Sequence, residues 1–144
     1  MDKYLFLDVD GVLNTTRSQS LYGLSKPCMR RLQLIVNDTG CKLVLSSTWR
    51  LHMDTYMRLQ RALGYRGMAL YGRTPHLREE KGKNNRGDEI ALWLSGFADQ
   101  PYVYAIVDDD SDMNDNQLPH FFQTDPDYGL TDTIAYRITY HLNN

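Results

Sequence analysis

The sequence predicts an α/β fold, in which an open, mainly parallel sheet carries helices on both faces. Short apolar segments typical of strands alternate along the chain with amphipathic segments typical of helices, the order expected of parallel βαβ units. The chain has 144 residues, of which 42% are hydrophobic and 24% are charged. This is enough for one folded core without disulfide or metal cross-links. We therefore expect residues 1–144 to form a single domain.

Composition also excludes several protein classes. No apolar run approaches the roughly 18 residues that a membrane-spanning helix needs, so no membrane partner is expected. The apolar start of the chain is interrupted by Asp8 and Asp10, which is not typical of a signal peptide. Two cysteines, Cys28 and Cys41, are too few for a disulfide framework or a four-thiolate zinc site. We expect a soluble cytoplasmic protein.

The first half of the chain contains three predicted strands and two predicted helices. The serine and proline at Ser25 and Pro27 are typical of a helix start, and Gly40 is typical of a helix end. The predicted elements are, in order, a strand Tyr4–Val9, a helix between Ser25 and Gly40, a strand Lys42–Leu45, a helix Asp54–Leu63 and a weak strand Gly67–Tyr71.

The second half begins with a polar, basic stretch at residues 72–87 that predicts a loop. An amphipathic helix Asp88–Phe97 follows, and then the most apolar strand of the chain, Tyr102–Val107. A short strand at Phe121 and Phe122 and a closing helix Asp132–His141 complete the prediction.

Charge is distributed unevenly along the chain. Residues 1–98 carry 15 Lys and Arg against 9 Asp and Glu, whereas residues 99–144 carry Arg137 alone against 9 Asp. A carboxylate-rich segment opposite a basic one can hold a cation and receive an anion. A solvated acidic tail is the alternative explanation.

Acidic side chains follow two of the predicted strands, and the carboxyl ends of parallel strands meet at one edge of a sheet. Asp8 and Asp10 lie on the same side of extended backbone, where they repel unless a cation or proton lies between them. Asp108, Asp109 and Asp110, with Asp112 just beyond, form an oxygen-rich run that suits a hard cation such as Mg²⁺. The alternatives are an ordinary Asp-Gly turn and a solvated acidic loop.

Two other strand and helix ends carry candidate anion-binding groups. Ser46 and Ser47 end the second strand, where a hydroxyl and backbone N–H groups suit a phosphoryl oxygen, although a capping role is the alternative. Arg86 precedes the predicted helix and would neutralise charge on a neighbouring phosphate; otherwise it would be a surface residue. The chain contains neither a Walker sequence nor a G-x-S-x-G elbow.

Four segments together resemble a known family. YLFLDVDGVLN, LVLSSTWR, RGDEIALWL and YAIVDDDSDM resemble, in order, the four motifs of the haloacid-dehalogenase (HAD) superfamily of phosphohydrolases. The forms SSTWR and RGDEIALWL are similar to HAD domains of nucleic-acid repair proteins, including the phosphatase half of polynucleotide kinase-phosphatases. The resemblance implies a three-layer Rossmann-like core, and the short spacings between motifs leave no room for a folded cap domain.

The resemblance also implies catalytic roles. Asp8 would be the nucleophile that takes the phosphoryl group as an aspartyl-phosphate, and Asp10 would be the general acid and then the general base. Ser46 would hold a phosphoryl oxygen with Ser47 in support. Arg86 would occupy the cationic position where many relatives have lysine, which keeps the charge but alters the geometry.

A magnesium site is implied as well. Asp108 would complete it together with the Asp8 side chain and the Asp10 backbone carbonyl. Asp109 is an alternative ligand to Asp108, and Asp112 would support the loop.

An uncapped site in this superfamily implies a large substrate, and the sequence offers a basic, partly aromatic rim to bind one. Such a rim suits nucleic-acid phosphates and unstacked bases, although a solvated loop and a core tryptophan are the alternatives. The candidate rim residues are Arg17, Trp49, Arg50, Arg73, His76, Arg78, Lys81 and Lys83.

These observations lead to one functional hypothesis with two rivals. The sequence favours a Mg²⁺-dependent phosphomonoesterase that removes a terminal phosphate, the 3′-phosphate, from DNA or RNA ends, with a repair kinase or ligase as its partner. The rivals are a phosphatase for a small metabolite or free nucleotide, and a non-catalytic module that binds nucleic-acid ends or a protein.

Overall fold

A five-stranded parallel sheet forms the centre of the protein, as the sequence predicts. The computed structural model describes residues 1–18, 23–77, 85–98 and 100–144. The strand order is β3-β2-β1-β4-β5, and every pairing is parallel. The strands are β1 (Asp2–Leu7), β2 (Lys42–Leu45), β3 (Leu70–Arg73), β4 (Tyr102–Asp108) and β5 (Phe121–Gln123).

Helices cover both faces of the sheet, which confirms the three-layer architecture. Alternate residues of the central strand point to opposite faces, so Leu5 and Leu7 join one core cluster while Tyr4 and Phe6 join another. The first cluster includes residues of α1, α2 and α4, and the second includes residues of α3. These helices are α1 (Lys26–Thr39), α2 (Met53–Gly64), α3 (Arg86–Phe97) and α4 (Asp132–Asn143).

Most element boundaries agree with the predictions, and β3 is the main exception. We predicted Gly67–Tyr71, whereas the strand runs from Leu70 to Arg73. The N–H groups of Gly67 and Met68 donate instead to Gly64 O at 3.1 Å and Leu63 O at 2.9 Å. These hydrogen bonds close the turn after α2 and delay the start of the strand. The loop predicted for residues 72–87 is therefore shorter, and its residues 78–84 lie outside the described residues.

Two short 3₁₀ turns, Thr48–Leu51 and Asp115–His120, complete the described elements. Across residues 1–18, 23–77, 85–98 and 100–144, every element belongs to the sheet, to a helix that covers it or to a short connection, so these ranges contain no folded cap domain. None of the helices in the described part of the chain is long and apolar enough to span a membrane.

Arg50 connects the segments that follow β2 and β3 with the first turns of α3. Its guanidinium donates to Thr74 O at 2.9 Å, to Ser47 O at 2.8 Å and to Glu89 Oε2 at 3.0 Å. The side chains of Arg50 and Glu89 are 3% and 8% exposed. The sequence hypothesis that Arg50 belongs to an exposed substrate rim is therefore wrong, because internal acceptors surround its guanidinium.

Replacement of Arg50 tests this structural role. Arg50→Ala should lower the free energy of unfolding by about 3–5 kcal/mol, because it leaves the buried Glu89 carboxylate without its cation. Urea denaturation at neutral pH measures the change. Arg17→Ala is the control, because this exposed guanidinium lies over the Tyr128 ring, 5.2 Å from its centroid, and its loss should cost less than about 1 kcal/mol. Equal stability of the two variants would contradict the assignment.

Candidate active site

Three carboxylates lie together at the carboxyl ends of β1 and β4. Asp8 follows β1 directly and is 5% exposed, and Asp108 ends β4 and is fully buried. The ladder between the two strands continues one residue past the end of β1, because Asp8 N donates to Val107 O at 3.1 Å. Asp8, Asp108 and Asp109 each offer an oxygen, and these oxygens all lie within 4.8 Å of one another. The sequence prediction of a shared carboxylate site is consistent with this arrangement.

A glycine makes the close approach of Asp109 possible. Gly11 has a φ of 80°, which L side chains rarely adopt, and a Cβ atom at this position would lie 2.5 Å from Asp109 Oδ2. Any side chain at residue 11 would therefore push Asp109 out of the cluster.

Arg86 is the cation that contacts this cluster. Its Nη1 donates to Asp108 Oδ2 and lies 3.5 Å from Asp8 Oδ1. Its Nε lies 3.8 Å from Asp112 Oδ2. The guanidinium thus lies among three carboxylates, and its side chain is 15% exposed.

The start of α3 is held against the loop after β4, which places Arg86 in the site. A Cβ atom at Gly87 would lie 2.7 Å from Asn114 N, so only glycine allows this approach. Gln117 Nε2 donates to Gly87 O at 2.8 Å, and Asn114 Nδ2 donates to Asp88 Oδ1 at 3.1 Å. These contacts fix the first turn of the helix directly beside the acidic run.

The carboxylates of the cluster are costly to ionise without further positive charge. Burial raises the pKa of Asp8, the neighbouring Asp108 carboxylate raises it further, and Arg86 opposes both. Burial also raises the pKa of Asp108, again against the effect of Arg86. Burial lowers the pKa of Arg86, but the carboxylates of Asp108 and Asp8 outweigh this effect, so the pKa of Arg86 is raised.

A divalent cation fits this donor set. When all three are ionised, the carboxylates of Asp8, Asp108 and Asp109 carry more charge than one guanidinium can neutralise. Carboxylate oxygen is the ligand type that Mg²⁺ prefers, and the three oxygens are close enough to share one ion. The side chain of Asp10 is not part of this group, and its backbone carbonyl stays a predicted ligand.

Ser46 and Ser47 differ in their surroundings. The Oγ of Ser46 is buried and has no hydrogen-bond partner among the described residues. Since buried hydroxyls are normally paired, this oxygen suits a bound oxyanion that supplies the missing contact. Ser47 Oγ instead accepts from Trp49 N at 3.1 Å and caps the 3₁₀ turn Thr48–Leu51. The capping alternative therefore describes Ser47, and the anion-binding role is consistent with Ser46.

Asp10 is exposed and lies beside the buried cluster. Its Oδ1 accepts from Trp49 Nε1 at 3.1 Å and from Asn14 Nδ2 at 2.8 Å. Sequence reasoning placed Trp49 in a substrate rim and did not single out Asn14. The position of Asn14, four residues after Asp10, was an available signal for such a contact.

The other predicted rim residues within the described part of the chain contact different neighbours. Arg17 lies over the Tyr128 ring and Arg73 over the Tyr56 ring, with 4.7 Å to the centroid in the second pair. His76 is 56% exposed and borders a small cavity of about 50 Å³ that Arg86 also lines. The remaining rim predictions lie outside the described residues: Arg78, Lys81 and Lys83.

Sequence reasoning also missed residues that hold the site from a distance. Thr124 Oγ1 donates to Gly11 O at 2.7 Å and anchors the turn that carries Asp10. Glu89 and Gln117 hold Arg50 and the start of α3. These partners are separated from their contacts by 30 residues or more. The only local signal is the capping box of Asn114 and Gln117, which marks a helix start and not the contact of Gln117 with α3.

A comparison with protein families agrees with this geometry. The model of the HAD domain in Swiss Army Knife RNA repair proteins matches residues 4–135. The chain therefore belongs to this family of HAD domains, which confirms the predicted superfamily and its repair-type branch. No curated protein and no solved structure gives a match. Family membership and the acidic site together indicate a phosphatase.

The raised pKa of Asp8 leads to a stability prediction for the metal-free protein. The pKa of Asp8 in the folded chain exceeds the ordinary value of 3.8, so the unfolded chain loses this proton at a lower pH than the folded chain does. The free energy of unfolding therefore falls as pH rises above about 4. Asp8→Asn removes this cost. In the presence of a chelator, the variant should be more stable than the wild type at pH about 7.5 by at least about 1.4 kcal/mol, the value of one pKa unit.

Thermal denaturation across pH about 4 to 8 measures the difference, which should shrink toward the acidic end. Asp110→Asn is the matched control, because it neutralises an exposed carboxylate of the same acidic run. A variant Asp8→Asn that is less stable than the wild type at pH about 7.5 would show that Arg86 more than offsets the cost of the buried charge.

Proposed function

We propose that this chain is a Mg²⁺-dependent phosphomonoesterase that acts through an aspartyl-phosphate on Asp8 and removes a terminal phosphate, the 3′-phosphate, from RNA ends. One observation carries the proposal. A buried carboxylate, Asp8, belongs to a candidate cation site and lies 3.5 Å from the guanidinium of Arg86. On the neighbouring strand end, Ser46 N donates to Leu7 O at 3.0 Å, and the buried Ser46 hydroxyl has no hydrogen-bond partner among the described residues. Family membership supports the same chemistry.

The cation would be held by Asp8, Asp108 and Asp109, together with the Asp10 carbonyl that the motif resemblance implies. When bound, Mg²⁺ neutralises charge and reduces the repulsion between a phosphate dianion and the carboxylates. Asp108 is the proposed main ligand at the end of β4, and Asp109 is the alternative ligand.

The side chains of the site divide the reaction between them. A carboxylate oxygen of Asp8 attacks phosphorus while the bond from phosphorus to the leaving oxygen breaks. Asp10 gives its proton to that oxygen and later takes a proton from the water that releases the phosphate from Asp8. Arg86 and the Ser46 hydroxyl bind phosphoryl oxygens and stabilise their charge. Asp112 would support the loop after β4, and its Oδ2 lies 3.8 Å from Arg86 Nε.

Two observations support RNA as the substrate class. The family is described from RNA repair proteins. The described residues contain no folded cap, so the site can admit the end of a polymer, with exposed cations such as Arg17 and Arg73 available for its backbone. The choice of the 3′ end rests on the resemblance of SSTWR and RGDEIALWL to polynucleotide kinase-phosphatases. A kinase or ligase that uses the processed end would be the partner.

A substrate panel tests the proposal. With Mg²⁺, the chain should release phosphate from a 3′-phosphorylated RNA oligonucleotide with a kcat/KM about tenfold or more above that of the 3′-mononucleotide, because remote backbone contacts position the polymer. The same oligonucleotide with a 5′-phosphate should be a poorer substrate. Chelation should abolish activity, and Asp8→Asn should lower kcat/KM by about four orders of magnitude or more.

Salt and rim substitutions provide the controls. The advantage of the oligonucleotide should shrink as salt rises, and the triple variant Arg17→Ala, Arg78→Ala and Lys83→Ala should reduce it, since these cations would contact backbone phosphates. Equal efficiency on polymer and mononucleotide, with no salt dependence, would favour the small-molecule phosphatase. Binding of RNA ends without phosphate release would favour the non-catalytic module.

A further inference from the structure

The exposed carboxylate of Asp10 is held by two side chains from different parts of the chain. Trp49 Nε1 donates to Asp10 Oδ1 at 3.1 Å from the 3₁₀ turn after β2, and Asn14 Nδ2 donates to the same oxygen at 2.8 Å from the turn after β1. Both donors bind one oxygen. Among the residues that the structure describes, no hydrogen-bond donor lies on Asp10 Oδ2.

The two donors are themselves fixed in place. The ring of Trp49 is partly buried and packs against the large core cluster, while its backbone N–H and C=O are bonded to Ser47 Oγ and Thr55 Oγ1. The Oδ1 of Asn14 accepts from Gly11 N at 2.9 Å, so its amide is held at both ends. A tryptophan with its ring in the core and its N–H directed outward is a rigid donor.

These two hydrogen bonds restrict a side chain that would otherwise be mobile. An exposed aspartate can rotate about two side-chain torsions, so its carboxylate would spend much of its time away from the reacting oxygen. Two donors on Oδ1 restrict both torsions and leave Oδ2 to exchange protons. A misplacement of about 1 Å in such a group can cost about 100-fold in rate.

We propose that Trp49 and Asn14 are positioning residues that hold Asp10 so that its Oδ2 faces the leaving oxygen and then the attacking water. The inference rests on the proposed function and deepens it. When the Asp8 oxygen bonds to phosphorus, the electron pair of the broken bond stays on the leaving oxygen, which takes the proton from Asp10 Oδ2. When water then bonds to phosphorus, Asp10 Oδ2 takes its proton, and the bond between phosphorus and Asp8 breaks to restore the carboxylate.

This assignment changes the interpretation of Trp49. The sequence suggested an aromatic face for unstacked bases or a plain core residue. In the structure its ring contacts the core and its N–H contacts Asp10, so a stacking role for RNA bases would have to coexist with a hydrogen bond toward the site. The two roles affect different kinetic parameters, and the leaving group of the substrate separates them.

The experiment compares two small substrates without a base, p-nitrophenyl phosphate and 2-glycerophosphate. The nitrophenolate leaves without a proton, whereas the alcohol of 2-glycerophosphate needs one. Trp49→Phe keeps the ring and removes only the N–H donor. It should lower kcat/KM for 2-glycerophosphate about 10- to 100-fold and for p-nitrophenyl phosphate less than about threefold, because only the first reaction depends on proton donation.

Asn14→Ala is a second, independent variant and should show the same dependence on the leaving group. Trp93→Phe is the matched control, because Trp93 is buried on the other face of the sheet against Tyr4 and Phe6. Any loss in that variant should be equal for both substrates, as expected of a general loss of folded protein.

The outcomes separate the two proposals. Equal losses on both substrates in Trp49→Phe and Asn14→Ala, or no loss on either, would overturn the positioning role while the wild type still hydrolyses both esters. A loss confined to KM for RNA substrates would instead assign Trp49 to base stacking. A wild type that releases no phosphate from any ester would reject the proposed function, and with it the positioning role of Trp49 and Asn14.

Discussion

The structure depends on holding several carboxylates together where little water reaches them. Asp8 and Asp108 are almost completely buried, and burial and mutual repulsion both raise the pKa of Asp8. Arg86 offsets part of this cost through its contacts with both residues. Because one guanidinium cannot neutralise the whole group when it is ionised, the site could hold a divalent cation, and a cation bound there would in turn attract a phosphate dianion.

The scaffold positions buried and exposed groups in different ways. Asp8 and Asp108 are placed by the backbone ladder of two central parallel strands, which leaves them no freedom to separate. Arg86 depends on side chains from distant segments, since Gln117 fixes the first turn of α3, and Glu89 within the same helix is tied to Arg50. The exposed Asp10 has no such ladder, and the hydrogen bonds to its Oδ1 serve the same purpose.

Local sequence pattern was sufficient to predict the sheet, its covering helices and the acidic residues at the strand ends. Strand ends and helix caps are determined by residues that are neighbours in the sequence. The resemblance of the four motifs to the HAD superfamily implied the catalytic roles of those residues. The orientation of side chains within one motif was not predictable: in LVLSSTWR, Arg50 turns inward to Glu89 while Trp49 reaches Asp10, each 39 residues away. The predicted start of β3 was also wrong, because backbone hydrogen bonds with the end of α2 determine where the strand begins.

Asp8 is proposed to carry the phosphoryl group during turnover, and a covalent trap of that group would detect it there. The protein is mixed with Mg²⁺ and a substrate labelled in its phosphate, quenched in acid within a single turnover, digested and mapped. We expect an acyl-phosphate, labile to hydroxylamine, on the peptide that contains Asp8, and we expect it to be absent when Asp8→Asn is used or Mg²⁺ is chelated. Phosphate release with no covalent label, or a label on another residue, would contradict it.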